Sequence, residues 1–477
     1  MKTNPSAAIN AQRWNGLFVD LGRIKTFMTD NKPFPPGFVW GAATSAYQIE
    51  GSPLADGAGP SNWHRFSHMP GNISNNDHGD LACDHYNRYA DDVALMREIG
   101  LKAYRFSIAW NRILPEGRGT LNEKGLDFYR RLLDRLHEAG IQPSVTLHHW
   151  DLPLALDDQG GWTNPDSAYW FADYAHTLFK ALSGQVRQWA TLNEPWVIVH
   201  EGHLQGSHPP GLRALPKARL ATHNLLRGHG FAVQAFRADG GEGEIGLVVN
   251  LEPKYAASEQ PEDQAAMTRM HAWMNRQYLD PVFLGHYPEE LADLHGRNFA
   301  DFPEEDFRVI QTPIDFLGIN YYSRSVVKSA PGLLPFQADR VRQDHLPHTA
   351  MDWEVFPEGL KSCLLWIKRR YGEMPLYITE NGGAFDDPAP VKSRVADADR
   401  VAYLRDHLLA VQEAIAEGVN LKGYFAWSLL DNFEWAFGYS KRFGLIHVDY
   451  ATQTRTLKDS ALFYRRVIDS HGAELWR

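Results

Sequence analysis

The sequence predicts an α/β fold, a single (β/α)8 TIM barrel with its site at the C-terminal ends of the strands. Eight short apolar, β-branched runs alternate with helical stretches, and such alternation implies parallel strands joined by crossover helices. No G-x-G-x-x-G opens the first unit, which argues against a doubly wound sheet. Two of the runs stop abruptly at a carboxylate, Glu194 and Glu380, and a barrel of parallel strands gathers all such ends on one face.

Residues 1–33 read as an N-terminal extension with no assigned role, and Pro33, Pro35, Pro36 and Gly37 mark the entry to one domain spanning 34–477. Phe38–Ala43 is the first strand, and a long loop from Ser52 to Asp80 follows it. Tyr86–Ile99 carries Tyr89, Val93, Met96 and Ile99 at helical spacing and stops at Gly100. The second strand is Ala103–Ile108, and a helix over Glu123–Ala139 closes at Gly140. The third strand, Pro143–Leu147, runs into His148-His149-Trp150 and leads to a helix over Ser167–Leu182. The fourth, Trp189–Glu194, cannot continue past Pro195, which has no N–H for the ladder. After helical sequence to residue 240 come the fifth strand, Glu244–Asn250, and a helix over Gln264–Leu279. The sixth strand is Ile314–Asn320, followed by Tyr321, Tyr322 and a loop over 323–353. A helix over Pro357–Tyr371 precedes the seventh strand, Leu376–Glu380, which Asn381-Gly382-Gly383 turns. A helix over Asp399–Glu417, the eighth strand Leu421–Trp427 and a last helix over Ser460–Asp469 complete the chain, with no repeat and no linker.

A chain of 477 residues that is 44% hydrophobic suits one large core, and its net charge of −10 disfavours nucleic acid and anionic membranes as partners. Cys83 and Cys363 are too few for a disulfide framework and read as free thiols of a reducing compartment. No CxxC or HExxH spacing calls for a metal, and no cofactor is expected. No signal peptide or transmembrane run appears, so a cytoplasmic location is expected.

The predicted strand ends carry Gln48, Arg105, His149 with Trp150, Asn193 with Glu194, Asn250, Tyr322, Glu380 and Trp427. Phosphate binding would need more cations and Gly-rich turns. Neutral hydrogen bonders with indoles suit a neutral polyhydroxylated ligand, and two carboxylates across a small gap are what glycoside hydrolysis requires. Asp431-Asn432-Phe433-Glu434-Trp435 adds a carboxylate beside an indole. Taken singly, His149 reads equally well as a core histidine, Trp427 as core packing and Glu434 as a surface charge; their joint arrangement favours a site.

These residues carry a resemblance. From Phe34 to Asp469 the chain resembles family 1 glycoside hydrolases, the β-glucosidase and β-galactosidase group. The resemblance rests on WGAATSAYQIEG (Trp40–Gly51), AYRFSIAW (Ala103–Trp110), HWDLP (His149–Pro153), TLNEP (Thr191–Pro195), GINYY (Gly318–Tyr322), ITENG (Ile378–Gly382), WSLLDNFEW (Trp427–Trp435) and GYSKRFG (Gly438–Gly444). It implies a retaining mechanism with Glu194 as acid/base and Glu380 as nucleophile, their carboxyl groups about 5–5.5 Å apart. It implies that Arg105, Asn320 and Tyr322 support the nucleophile. It further implies that Gln48, His149, Trp150, Asn193, Tyr322, Glu434 and Trp435 bind sugar hydroxyls, that Trp427 underlies the ring, and that Trp353 walls the aglycone side.

The implied activity is hydrolysis of terminal β-D-glucosyl residues, with β-galactosides and β-fucosides as further substrates. Small β-glucosides and cello-oligosaccharides are the implied partners and glucose the product; homo-oligomerisation is left open. Transfer of the sugar to an acceptor, or a silent sugar-binding barrel, are the alternatives. Intact Glu194 argues against the thioglucoside-cleaving subgroup, and Glu434 against phospho-sugars. The chain departs from the family pattern at Asn62 and His64 around Trp63, at Leu154 and at Ala436-Phe437. Phe437 is expected to make the mouth of the site more apolar.

Overall fold

The computed structural model describes residues 33–295 and 301–477. The expected extension therefore lies, apart from Pro33, outside the described residues. Eight parallel strands close into a barrel: β1 (Val39–Ala43), β2 (Ala103–Ser107), β3 (Gln142–His148), β4 (Gln188–Asn193), β5 (Glu244–Asn250), β6 (Phe316–Tyr321), β7 (Leu376–Asn381) and β8 (Leu421–Trp427). Each strand pairs with its neighbour in the chain and β1 pairs with β8, so the predicted barrel is observed.

The main crossover helices are α1 (His85–Ile99), α2 (Glu123–Glu138), α3 (Ser167–Ala181), α4 (Leu215–Ala238), α5 (Pro261–His271), α6 (Pro357–Tyr371), α7 (Ala398–Ala416) and α8 (Asp459–Asp469). Gly100 ends α1 in the left-handed region, with its N–H on Arg97 O and that of Leu101 on Met96 O, which satisfies the last carbonyls of the helix. Leucines along one face of α2 (Leu126, Leu132, Leu133, Leu136) bury against the barrel.

Two apolar layers result. The larger lies between strands and helices. The smaller takes Ala43, Ala103, Ala190, Val248, Phe316, Tyr377, Phe425 and Trp427 from seven of the strands and fills the barrel interior. Small residues admit bulky neighbours there: a Cβ on Gly41 would lie 2.4 Å from the Phe425 ring.

Four expectations are corrected. The 52–80 loop contains a helix, Asn62–Ser67, capped by Ser61, whose Oγ accepts from His64 N. The 323–353 loop carries strands Ser325–Ser329 and Ala338–Arg340, which pair with each other. The helix expected over Gln264–Leu279 begins at Pro261 and passes through a wider-wound turn at Ala272–Arg276 before Gln277–Leu284. The sixth strand starts at Phe316; Asp315, just before it, donates its N–H to Ile245 O (2.9 Å) while its carboxylate accepts from Ile245 N (2.8 Å).

Candidate active site

Glu194 and Glu380 are delivered by the same local device. The β4–β5 register slips between Ala190 and Asn193, and the β6–β7 register slips between Ile378 and Glu380. A slip of this kind re-aims the side chains that follow it. Glu194 then sits in the left-handed region, φ 47° and ψ 65°, between the end of β4 and the helix opened by Pro195. Trp150 (φ 81°) and Trp435 (φ 46°) hold the same kind of backbone. Such residues cost about 1–3 kcal/mol each and persist only where their surroundings hold them. After Glu380 the chain needs glycine: a Cβ on Gly382 would lie 1.7 Å from Trp427 O.

The two carboxylates are linked through one buried array. Arg105 donates from Nη1 to Glu380 Oε1 (2.6 Å) and from Nη2 to Asn193 Oδ1 (2.7 Å). Tyr322 Oη donates to Glu380 Oε2 (2.5 Å). Asn320 Nδ2 donates to Glu194 Oε1 (2.7 Å) and to Asn193 Oδ1 (3.1 Å), while its own Oδ1 accepts from Thr379 Oγ1 (2.7 Å). With Asn193 Oδ1 accepting twice, its Nδ2 is the donor to His149 Nε2 (3.1 Å). That fixes the proton of a neutral His149 on Nδ1, which makes no hydrogen bond to protein.

The electrostatics separate the carboxyls. Burial pushes Glu194 well above the usual carboxylate range, and the Glu380 charge pushes it further; only Asn320 and the more distant Arg105 oppose this. Burial also raises Glu380, but Arg105 and Tyr322 hold its charge directly. The proton shared by the pair therefore resides on Glu194. The same two causes, burial and Glu380, push Glu434 up to about 8. Burial, reinforced by Arg105, keeps His149 far below its ordinary value and neutral. Burial and the Glu380 charge keep the Tyr322 phenol protonated.

The other expected residues take four kinds of place. Gln48 lies on a short helix, Ala46–Ile49, rather than at a strand end, and donates to Asn432 Oδ1 (2.9 Å), Phe433 O (2.9 Å) and Glu434 Oε2 (3.4 Å). Glu434 is buried against it, so the surface-charge reading of that residue is wrong: the loop after β8 folds inward over Gln48. Trp150, half-buried, donates from Nε1 to Asn193 O (2.9 Å) and packs 4.5 Å from Trp435. The rings of Trp427 and Trp435 lie nearly parallel to His149, at 5.8 Å and 6.1 Å. Trp353 stands apart from this set, against Tyr322 (5.3 Å) and Phe443 (6.2 Å). Asn250 is buried at the end of β5, but its Oδ1 makes no hydrogen bond, so it does not join the array.

Several supporting residues escaped the sequence reading. Asn381, read only as part of a turn, pins the end of β7 by donating to Tyr321 O (2.7 Å) and accepting from Tyr424 Oη (2.8 Å). Behind the β8 loop, Lys458 Nζ lies 2.7 Å from Asp431 and 2.5 Å from Asp387, Arg400 pairs with Asp387 and Asp397, and Arg442 pairs with Asp431. Nothing local marks such long-range ion pairs.

Comparison with known proteins places the chain. The family model described as "Glycosyl hydrolase family 1" matches residues 30–473. Beta-glucosidase A of Thermotoga maritima is 52% identical over 444 residues, covering 93% of this chain and 99% of that protein. A bifunctional beta-D-glucosidase/beta-D-fucosidase of Bifidobacterium breve is 44% identical, covering 92% and 99%. The structure of the Thermotoga maritima beta-glucosidase in complex with glucoimidazole superposes with a TM-score of 0.89 at 51% identity, covering 92% of this chain and 99% of that one.

Proposed function

The chain belongs to glycosyl hydrolase family 1 and is a β-glucosidase, and on that premise we propose that it works by double displacement through a covalent glycosyl–Glu380 intermediate. The observation that carries this is the array Glu380–Arg105–Asn193–Asn320–Glu194, which pairs one carboxylate with a guanidinium and leaves the other a proton.

In the first step Glu380 attacks the anomeric carbon, forming its ester bond as the bond to the glycosidic oxygen breaks. Glu194 gives its proton to that oxygen, and the aglycone leaves as an alcohol. Esterification removes the Glu380 charge. One cause of the raised Glu194 pKa then disappears, and Glu194, now ionised, takes a proton from the attacking water. Water adds at the anomeric carbon, the ester breaks, and glucose leaves with retained configuration. Tyr322 and Arg105 receive the carboxylate as it departs.

The hydroxyl-binding roles belong to the same proposal. Gln48 and Glu434 form a fixed amide–carboxyl pair, His149 Nδ1–H is an uncommitted donor, and Trp427 and Trp435 supply ring faces. The Arg105 guanidinium is already engaged by Glu380 and Asn193, which favours an unphosphorylated sugar. Acceptance of β-fucosides is supported by the bifunctional relative, and β-galactosides are proposed with them. Cello-oligosaccharides, and with them a place in cellulose degradation, are proposed as substrates. A cytoplasmic location is proposed on the two buried free cysteines. Among the described residues no helix is long and apolar enough to cross a membrane.

The test is nitrophenol release from an aryl β-D-glucoside by wild type and by Glu380→Ala, the latter with and without azide or formate. Turnover by wild type, its loss in the variant, and rescue that yields the inverted α-glycosyl azide are expected. An inverted glucose product from wild type, or full activity in the variant, would overturn the assignment.

A further inference from the structure

The strongest unassigned feature lies on the rim of the fold, away from Glu194 and Glu380. Among the described residues, His64, His68 and Asp80 bring one ligand atom each within 4.8 Å of one another. Asp80 is the hub: its Oδ1 lies 3.5 Å from His64 Nδ1, and its Oδ2 lies 3.2 Å from His68 Nε2 and 3.4 Å from His78 Nδ1. Two ligand atoms held at 2.0–2.1 Å from a tetrahedral zinc ion stand about 3.3 Å apart. The two distances to Oδ2 bracket that value, and His64 faces the other oxygen at a slightly longer one.

Hydrogen bonding in the cluster points the same way. His68 Nδ1 lies 2.7 Å from His64 O, a carbonyl that can only accept, so Nδ1 carries the proton. Nε2 is then the nitrogen that faces Asp80 Oδ2 at 3.2 Å, the position from which a ring ligates a cation. A ligating histidine is commonly oriented by such an Nδ1–H···O=C bond. His64 Nδ1 and Asp80 Oδ1 are both shielded from solvent, and neither makes a hydrogen bond. His64 and His68 stand four residues apart on the helix Asn62–Ser67 and its cap, so both rings leave the same face.

We propose that His64, His68 and Asp80, with His78 beside Asp80, form a structural site for a zinc-class divalent cation that clamps the 62–67 helix to the 77–80 segment. Imidazoles with one carboxylate suit Zn2+ rather than Mg2+ or Ca2+, which take oxygen ligands. The clamp has a target. Trp63, next to His64, packs 4.5 Å from Trp435, and Tyr47 Oη shares a 2.8 Å hydrogen bond with Ser67. On the other side, Tyr439 N donates to Asp77 Oδ2 (3.0 Å) and Tyr439 Oη to His78 O (2.8 Å). The ion thus stiffens the wall behind Trp435 and takes no part in chemistry at Glu194 or Glu380.

The experiment uses the untagged full chain, stripped by chelator and dialysed. Titration with Co2+ is followed by its visible absorption and with Zn2+ by calorimetry; thermal unfolding is followed with and without Zn2+. One equivalent of Co2+ with tetrahedral-type bands, displaced by Zn2+, is expected, together with a rise in Tm of about 2–3 °C at saturating Zn2+. The pair His64→Ala/His78→Ala should lose the bands and the Tm rise. Its aryl-glucosidase activity below the transition should match wild type, which also shows that the variant is folded. Absence of stoichiometric binding, binding unchanged in the double variant, or an equal Tm rise with Mg2+ would overturn the site.

Discussion

Tyr322→Phe isolates what holds the charge on Glu380. The substitution removes one hydroxyl and with it the 2.5 Å donation to Glu380 Oε2; the 2.6 Å bond from Arg105 to Oε1 remains. A hydrogen bond to a charged group contributes about 1.5–3 kcal/mol, and each pH unit of a titration is about 1.36 kcal/mol. The donor stabilises only the ionised form, so its loss raises the pKa of Glu380 and never lowers it. The acid limb of kcat/KM, which reports the free enzyme, should therefore move to higher pH by about one to two. The basic limb, which the proposed mechanism assigns to Glu194, should move little, because Asn320 and not Tyr322 bonds that carboxyl. The assay is kcat/KM for an aryl β-D-glucoside across pH, with wild type and variant measured side by side. An acid limb that stays in place, or moves to lower pH, would refute the claim that the phenol keeps the nucleophile ionised.

Other expectations follow from the same contacts. Glu380→Gln removes the charge that raises Glu194, so the Glu194 carboxyl, followed by carbon NMR, should titrate at lower pH than in wild type. Lys458→Met leaves Asp431 and Asp387 buried without their shared cation and should cost about 3–5 kcal/mol in denaturant unfolding. Lys458 helps hold Asp431 below the usual carboxylate range, so the loss should be fully present above the ordinary carboxylate pKa and should shrink as Asp431 protonates on acidification. Phe437 is 43% exposed beside the Glu434–Trp435 loop, so Phe437→Glu should lower the preference for aryl glucosides over cellobiose by about fivefold, the worth of about 1 kcal/mol of apolar contact. An unchanged ratio would remove Phe437 from the aglycone side.

What could be read in the chain depended on how local the signal was. Each of the eight strands announces itself as a short apolar run with a turn or a polar residue at its end, and each is present within a few residues of its predicted bounds. The abrupt ends at Glu194 and Glu380 were legible because a charge that closes a buried run is costly unless paired, and the chain closes two such runs this way. The helix at Asn62–Ser67 went unseen because six residues between proline- and glycine-rich segments show too little periodicity, although Ser61 was a usable capping signal. Taken singly Glu434 reads as a solvated carboxylate, and only the joint pattern and the resemblance put it in the site; its burial depends on Gln48, nearly four hundred positions away. The Lys458–Asp431–Arg442 pairs and the Asn381 anchor are likewise products of tertiary contact, with no period of their own.

The register slips explain why a strict strand reading would misplace the chemistry. In a regular strand alternate residues face the same side. In β4, Ala190 faces the barrel interior, so regular alternation would also turn Leu192 and Glu194 inward and send Asn193 outward. Asn193 nevertheless bonds Arg105 and Asn320, while Thr191 reaches out to His229 of α4 at 2.7 Å. The slip between Ala190 and Asn193 brings Asn193 inward, and the left-handed turn at Glu194 brings the next residue in as well. In β7, Tyr377 faces inward and Thr379 bonds Asn320, so Glu380 would ordinarily point out toward the helices. The slip after Ile378 turns it in, and Asn381 takes the outward position, where it meets Tyr403 of α7. In both strands two consecutive residues enter one pocket, an amide or hydroxyl followed by a carboxylate. A pocket that needs both carboxyls and the amides between them cannot be lined by alternation alone, and these irregularities supply the missing parity.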